Sequence, residues 1–306
     1  MTLALAWIPA TMLAGLLQAW RTAVQQRLRA QLSINGAGIV RYVYGLPIVL
    51  LVLGAYLWAT GATLPSGDAT FFALAAVAAV AQLLATNLLI MAFGYRNFVV
   101  GTAFSKTETV QAALFGWLIL GERITPLVGL AVTLGMAGVL TLALGGRNLG
   151  GRDVVRALGQ PAALCGLASG GLFAITAVFI RRAALHLDPG APLLAALVTL
   201  VTVILIQALS LGIWVAVREP ATLLGVARTW RTSAQVGVLA GMGSICLFCG
   251  LAIAPVALVR IVAQVEVVFT LAFAALYLRE PFHRFEAAGL LLVVGGVVLA
   301  LLGALR

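Results

Sequence analysis

The feature that most constrains this chain is a succession of long apolar runs separated by short polar segments. Each run has about the 20 residues that an α-helix needs to cross roughly 30 Å of hydrocarbon. Strands of a membrane barrel would alternate polar and apolar residues over about ten positions, whereas these runs are continuous. The pattern therefore predicts ten membrane-spanning helices, over residues 3–29, 37–59, 70–93, 97–120, 125–145, 160–181, 191–217, 232–253, 256–278 and 285–305.

The composition leaves no room for a separate water-soluble domain. Only 9% of the 306 residues are charged and 63% are hydrophobic, whereas soluble domains carry about 25% charged residues. The formal net charge of +10 comes almost entirely from arginines that stand singly or in pairs between apolar runs. A nucleic-acid surface needs a contiguous basic patch, so we do not expect nucleic acid as a partner.

The chain contains an internal repeat. The Gly-rich helix that follows Glu122 aligns without gaps on the helix that follows Glu280, and Glu108 and Glu266 each precede those glutamates by 14 positions. This predicts two five-helix units, residues 1–146 and 159–306, joined by a polar hinge at 147–158. Because five is odd, the two copies face opposite sides of the membrane, a plan that recurs in secondary transporters with the solute site between the halves.

These residues resemble the drug/metabolite transporter superfamily, and its EamA branch in particular. The resemblance rests on the Gly-Glu122 and Arg-Glu280 endings, the Gly-rich fifth helix of each half, and the Arg41-Tyr42 pair early in the second helix. It implies a ten-helix carrier whose cavity is lined by helices one to four and six to nine, with helices five and ten packed outside. The branch usually has proline near the position of Glu108, where this chain has Ser105-Lys-Thr-Glu-Thr109, so no relative's substrate is transferred to it.

Two of the predicted spans contain both acidic and basic residues. Lys106 and Glu108 fall near the middle of the fourth span, and Arg260 and Glu266 lie in the ninth. A charge at the bilayer centre costs about 2.5–3.5 kcal/mol on insertion scales, so these groups must face one another or a wet cavity. Positions two apart on a helix do not face each other. We therefore expect Lys106 to reach towards Glu266, and Glu108 to meet Arg260, Arg41 or the solute.

The candidate site follows from these charges and from polar residues at corresponding places. Gln264 occupies the repeat position of Lys106, Gln111 lies one turn after Glu108, and Asn87 is deep in the third span. The alternatives are a buried ion-pair network that only locks the halves together and, for Asn87 and Gln111, ordinary helix–helix hydrogen bonding. The predicted solute- and ion-binding residues are Lys106, Glu108, Arg260, Glu266, Gln264, Arg41, Asn87 and Gln111.

No cofactor or metal site is predicted. Cys246 and Cys249 have the spacing of a metal pair, but they lie in an apolar run without a second pair of ligands. His186 is expected to pair with Asp188 in a loop, again without further ligands. The chain has no phosphate-binding loop and no convincing nucleophile–base pair, so ATP-driven pumping and enzymatic chemistry are both disfavoured.

The predicted function is gradient-driven transport of a small polar or zwitterionic metabolite, with export as the favoured direction. Its partners would be the solute, a co- or counter-transported proton or cation, and membrane lipids. A flippase for a lipid headgroup or a lipid-linked precursor would share the architecture and is the alternative. An intramembrane enzyme lacks a catalytic set, and a non-transporting regulator would leave the central charges without a purpose.

The arginines also predict an orientation in the membrane, which we expect to be a bacterial inner membrane. Cytoplasmic loops carry an excess of Lys and Arg, and the odd-numbered connections hold the larger share, so both termini are expected outside. The resemblance implies the opposite, because members of the superfamily usually have both termini inside. The odd connections hold Arg27, Arg29, Arg96, Arg147, Arg152, Arg156, Arg218, Arg228, Arg231, Arg279 and Arg284, and the even connections with the C-terminus hold Arg123, Arg181, Arg182 and Arg306.

Overall fold

A computed structural model describes residues 5–29, 31–94, 104–144, 160–277 and 284–304. Every regular element within these ranges is α-helical, as the continuous apolar runs predict. The helices are α1 Trp7–Arg29, α2 Ile34–Val43, α3 Gly45–Thr60, α4 Ala69–Gly94, α5 Glu108–Leu120, α6 Pro126–Leu144, α7 Pro161–Leu187, α8 Pro192–Arg218, α9 Pro220–Arg228, α10 Trp230–Ile253, α11 Val256–Ala263, α12 Val265–Tyr277 and α13 Arg284–Ala304. The predicted hinge at 147–158 and Glu280 lie outside the described residues.

Seven of the predicted spans are long and apolar enough, within the described ranges, to cross a membrane. They are Asn35–Thr60, Ala69–Ala92, Pro161–Leu187, Pro192–Arg218, Trp230–Ile253, Val256–Phe273 and Phe285–Ala304. The described parts of the other three predicted spans are helical, but they are not long and apolar enough to cross a membrane. The first, α1, is diluted by Gln18, Arg21, Thr22 and Gln25, and only short apolar helices, Glu108–Leu120 and Pro126–Leu142, represent the fourth and fifth.

The helix ends follow local chemistry. Proline tolerates the first turn of a helix because its missing N–H would have no intrahelical partner there. Glycine ends two helices in the left-handed conformation that it adopts without steric cost: Gly61 has a φ of 65° and Gly121 a φ of 68°. Helices α6, α7, α8 and α9 begin at Pro126, Pro161, Pro192 and Pro220.

Several predicted boundaries are wrong in ways that the structure explains. Helix α7 continues to Leu187 rather than ending at 181, because Nη1 of Arg181 donates to the carbonyls of Leu251 and Ala254, both at 2.7 Å. A guanidinium with such acceptors can lie within an apolar helix. The short helix α9 is an additional element, in a stretch that the sequence pattern assigns to a separator. His186 pairs with Asp68 at 3.0 Å rather than with Asp188, whose side chain accepts from the backbone of Gly190 and Ala191.

The chain forms two compact units, each built from separate stretches of sequence. The first comprises residues Met1–Ala79 and Ile180–Ala254, and the second Val80–Phe179 and Pro255–Arg306. Each unit therefore contains residues from both predicted repeats. The two compact units do not coincide with the predicted halves 1–146 and 159–306. The repeat division stays a prediction.

In the first unit, α10 packs on α1, α2 and α3, and α8 packs on α10, α2 and α3. The contact with the start of α3 depends on small residues. A Cβ added at Gly237 would lie 2.6 Å from the carbonyl carbon of Tyr44, and one added at Gly241 would lie 3.1 Å from the carbonyl oxygen of Gly45. Gly237 and Gly241 are four positions apart, and this small-xxx-small pattern allows close helix approach. The apolar cluster of this unit contains Leu28, Ile39, Val40, Val215, Val226 and Val236.

In the second unit, α6 packs along α13, and the short helix α11 packs on α5, α6 and α13. A Cβ added at Gly138 would lie 2.8 Å from the carbonyl oxygen of Gly289, and one added at Gly296 would lie 2.9 Å from that of Ala131. The fifth helix of each predicted half therefore meets its counterpart through backbone-to-backbone contacts. This packing leaves α11 held among α5, α6 and α13.

Candidate functional site

The second unit contains a cavity of about 60 Å³ that is lined by charged and polar side chains. Its residues come from the turn before α5, from α5 and α6, and from the junction of α11 with α12. The formal charges of its four ionisable residues cancel. The lining residues are Lys106, Glu108, Thr109, Val139, Arg260, Ala263, Gln264, Glu266 and Val267.

The centre of this site is an ion pair between α5 and α11. Nη1 of Arg260 lies 2.6 Å from Oε1 of Glu108, and the two side chains are only 15% and 22% exposed. Nη2 of the same guanidinium donates to the carbonyl of Phe173 at 3.3 Å. Arg260 was one of the three partners that the sequence suggests for Glu108. A half-buried pair of this kind balances two charges that would each be costly alone.

Two helix interruptions place the acidic side chains. Lys106 and Thr107 form a turn immediately before α5, so Glu108 is the first residue of that helix. Gln264 forms a turn between α11 and α12, so Glu266 is the second residue of α12. The N-terminal turn of a helix carries unpaired N–H groups and the positive end of its dipole, which favour a carboxylate. Both interruptions fall at matching positions of the predicted repeat.

Gln264 is a buried polar residue of the cavity, with 9% of its surface exposed. Its Nε2 donates to Oγ1 of Thr109 at 2.8 Å, and its Oε1 has no hydrogen-bond partner in the described part of the chain. A Cβ added at Gly135 of α6 would collide with Oε1 of Gln264. The amide therefore occupies a space that glycine leaves open, with one acceptor still available.

Helix α7 approaches the start of α5 through two glycines. A Cβ at Gly170 would lie 2.7 Å from the carbonyl oxygen of Ser105, and one at Gly171 would lie 2.6 Å from Oε1 of Gln111. Nε2 of Gln111 donates to Oγ1 of Thr107 at 2.7 Å and to the carbonyl of Leu167 at 3.3 Å. The glycines thus bring α7 against the turn that precedes Glu108, and Gln111 serves this helix contact.

The structure brings five of the eight predicted site residues to the cavity. Lys106 and Glu266 line it, but the ion pair expected between them is not formed in the described structure, and Lys106 is exposed. The wrong pairing has a geometric reason. Lys106 lies in the turn rather than in a helix, so the helical spacing from which its partner was inferred does not apply.

The other three predicted residues do not line this cavity. Gln111 makes the helix contacts described above. Asn87 lies exposed on α4. Arg41 is on α2 in the first unit, where its guanidinium carbon lies 5.8 Å from the ring centroid of Tyr42. A role for these three residues in solute binding stays a prediction.

Sequence reasoning missed four cavity residues, Thr109, Val139, Ala263 and Val267. Thr109 had one usable signal, because it is a small hydroxyl residue that directly follows Glu108. Val139 had none, since it is one of many apolar residues on an apolar helix. Its position follows only from the packing of α6 on α11.

Comparison with known proteins gives a family match over part of the chain and a fold over nearly all of it. Residues 160–302 match the EamA-like transporter family. Among solved structures, 29 chains match, and one crystal structure has a TM-score of 0.69 at 18% identity, covering 99% of this chain and 98% of the other. At that identity the likeness shows a shared fold. No curated protein matches this chain.

The family match and the helix lengths agree with each other. An EamA-like transporter domain requires apolar helices that cross a membrane, and seven such helices are present in the described residues. Large apolar side chains also stand exposed on these helices, including Val217 at 73% and Leu291 at 74%; a surface of this kind suits lipid rather than water. The chain is therefore an integral membrane protein, and its residues 160–302 are similar to the EamA-like transporter family.

Proposed function

We propose that this protein is a gradient-driven transporter of a small polar or zwitterionic metabolite, with export as its direction, and that the cavity around Glu108 and Arg260 is its solute site. The observation that carries the proposal is the clustering of four charged residues around one small cavity in a transporter-family protein. Each of these charges would cost about 2.5–3.5 kcal/mol at the centre of a bilayer. Only 9% of the residues of this chain are charged, and four of them line this one cavity.

The charge balance of the cavity supports a zwitterionic or neutral solute. Lys106 and Arg260 contribute two positive charges, and Glu108 and Glu266 two negative ones. A zwitterion leaves this balance unchanged, whereas a monoanion would add an uncompensated charge in surroundings of low dielectric, which is costly. A monoanion would therefore enter with a proton or a cation. In this scheme Lys106 and Arg260 hold a carboxylate or phosphate, and Glu108 and Glu266 accept the proton or cation.

The size of the cavity supports a conformational change during transport. Its volume of about 60 Å³ is less than half of the roughly 150 Å³ that admits a benzene molecule in an engineered cavity. The observed conformation thus has room for a few water molecules or one charged group, and a whole metabolite requires the site to open. Alternating access by two inverted five-helix halves, residues 1–146 and 159–306, would provide that opening. The matching interruptions at Lys106-Thr107 and Gln264 support this arrangement, because broken helices at corresponding positions are typical of inverted-repeat transporters.

Uptake into proteoliposomes tests the proposal. Purified protein would be reconstituted and assayed with a panel of amino acids, organic acids, amines and phosphate esters under an imposed pH gradient. We expect a member of the panel to be transported, and Glu108→Gln or Glu266→Gln to lower its rate at least tenfold. Glu219→Gln is the matched control, since that carboxylate accepts from Ser33 and Asn35 in the first unit and is not among the residues that line the cavity.

Two results would contradict the proposal. Full transport by correctly folded Glu108→Gln and Glu266→Gln proteins would show that the charges only hold the helices together. Scrambling of fluorescent lipids in the same vesicles, with no uptake of any soluble metabolite, would favour the flippase instead.

A further inference from the structure

Helix α11 has only eight residues, Val256–Ala263, yet it carries the cation of the candidate site and ends at Gln264. Isolated helices shorter than about 12 residues are marginal because nucleation is costly. The position of so short a helix therefore depends on the groups that hold its ends. The chain is extended at Ala254, and Pro255 precedes the first helical residue, so α11 is not a continuation of α10.

A carboxylate holds the N-terminus of α11. The backbone N–H of Val256 donates to Oε2 of Glu122 at 2.9 Å. Glu122 lies in the segment that follows α5, just after Gly121 ends that helix. A negative side chain at this position satisfies an unpaired N–H and interacts favourably with the helix dipole.

The same carboxylate depends on a glycine of α5. A Cβ added at Gly116 would lie 2.8 Å from Oε2 of Glu122. The carboxylate would have to move away from such a Cβ, and the bond to Val256 would lengthen. Gly116 thus leaves the space in which Glu122 reaches α11.

Two further contacts join α11 to the other end of α5. Arg260 pairs with Glu108, and Gln264 donates to Thr109. Glu108 and Thr109 begin α5, whereas Glu122 follows its end. Helix α11 therefore runs antiparallel to α5. It is joined to α5 and the segment after it by contacts of Val256, its first residue, of Arg260 near its middle, and of Gln264 just past its end. A shift of Val256 along α5 would change where Arg260 meets Glu108.

We propose that Glu122 is a positioning residue of the candidate site: by capping Val256 it fixes the register of α11 on α5 in which Arg260 faces Glu108. Glu122 does not line the cavity. It acts on Arg260 through one turn of helix. The description of this site as a solute site rests on the proposed function, whereas the register itself does not.

A comparison of double-mutant cycles tests this role. Thermal unfolding of the full-length protein in detergent would be measured for Glu108→Gln, Arg260→Gln and the double variant, in the native background and in the Glu122→Ala background, which lacks the capping acceptor. In the native background, the decrease in Tm of the double variant should be smaller than the sum of the decreases of the two single variants. Each single change leaves a charge without its partner, whereas the double change removes both charges. In the Glu122→Ala background the difference between the summed single losses and the double loss should fall to half or less. An equal difference in both backgrounds would overturn the proposal, since a cap that merely adds stability lowers every Tm alike.

Gly116→Ala provides a second route to the same result. This variant retains the Glu122 side chain, but the new Cβ obstructs the carboxylate. The difference between the summed Tm losses of the two single variants and the loss of the double variant should therefore also fall by half or more. Gly129→Ala on α6 is the matched control, because a Cβ there meets nothing within 4 Å, and it should leave the cycle unchanged. If neither Glu122→Ala nor Gly116→Ala alters the cycle, the positioning role is refuted. These measurements need no substrate, so a protein that transports nothing would refute the proposed function while the register result stands.

Discussion

Gln264 shows how much a single residue can be predicted from this sequence. Its place in the candidate site follows from the repeat, since it stands where Lys106 stands in the other half. Its surroundings do not follow from the sequence, because Thr109 and Gly135 are distant along the chain and neither belongs to a motif. The hydrogen bond to Thr109 and the space left by Gly135 arise only when α5, α6 and α11 are packed together.

This packing predicts the effect of one substitution on stability. In Gly135→Ala the new Cβ collides with Oε1 of Gln264, so the buried amide must move and its bond to Thr109 is lost. We expect the protein to lose about 1–3 kcal/mol of stability, the usual cost of overpacking, measured as a lower Tm in detergent.

The control for this substitution lies on the same helix. Gly129→Ala adds a methyl group where no atom lies within 4 Å, and replacing a helical glycine by alanine reduces the conformational entropy of the unfolded chain. It should be neutral or stabilising by up to about 1 kcal/mol. Equal losses of Tm for the two variants would show that the contact with Gln264 is unimportant.

At the scale of elements, the existence of the helices was predictable and their interruptions were not. Apolar runs of membrane length indicate helices directly. No proline or glycine marks the turn at Gln264 in the sequence. The backbone N–H of Gln264 donates to the carbonyls of Ile261 and Val262, and these are local hydrogen bonds at the end of α11. The end of α7 was misplaced for a similar reason, because the acceptors of Arg181 come from the distant end of α10.

One element junction predicts a dependence of stability on pH. Oδ1 of Asp68 accepts from the N–H of Phe71 at 2.8 Å at the start of α4 and lies 3.0 Å from Nε2 of His186 near the end of α7. The Phe71 N–H, and then His186, lower the pKa of Asp68 below its ordinary value of 3.8. A lowered pKa means that the stabilisation is present above about pH 4 and is lost as the pH falls through the folded-state value.

Replacing the carboxylate isolates this contribution. Asp68→Asn retains a side chain that can cap α4 but removes the charge. We expect the native protein to have the higher Tm at pH 6, and the difference from Asp68→Asn to shrink as the pH is lowered towards 3. A difference that stays constant from pH 6 to pH 3 would contradict the assignment.

At the scale of the whole molecule, the orientation in the membrane remains a prediction from charge. Arg181 lies within α7 and binds backbone carbonyls, so it no longer counts among the arginines of a connection, and the bias towards the odd-numbered connections increases. We expect Gly150→Cys, in a protein whose Cys165, Cys246 and Cys249 are replaced by serine, to resist an impermeant thiol reagent in intact cells and to react after lysis. Labelling in intact cells would place both termini inside.

The sequence by itself determined that this chain is a helical membrane protein, because its apolar runs have the length of a bilayer and its few charges are too sparse to cover a water-facing surface. It also pointed to Glu108, Arg260, Gln264 and Glu266, because charged and polar groups are costly in such runs and the repeat aligns them. Only the tertiary structure decided their partners. The pair of Glu108 with Arg260, the bond of Gln264 to Thr109 and the cap of Glu122 on Val256 all join residues more than 100 positions apart, and no local pattern encodes contacts that arise from helix packing.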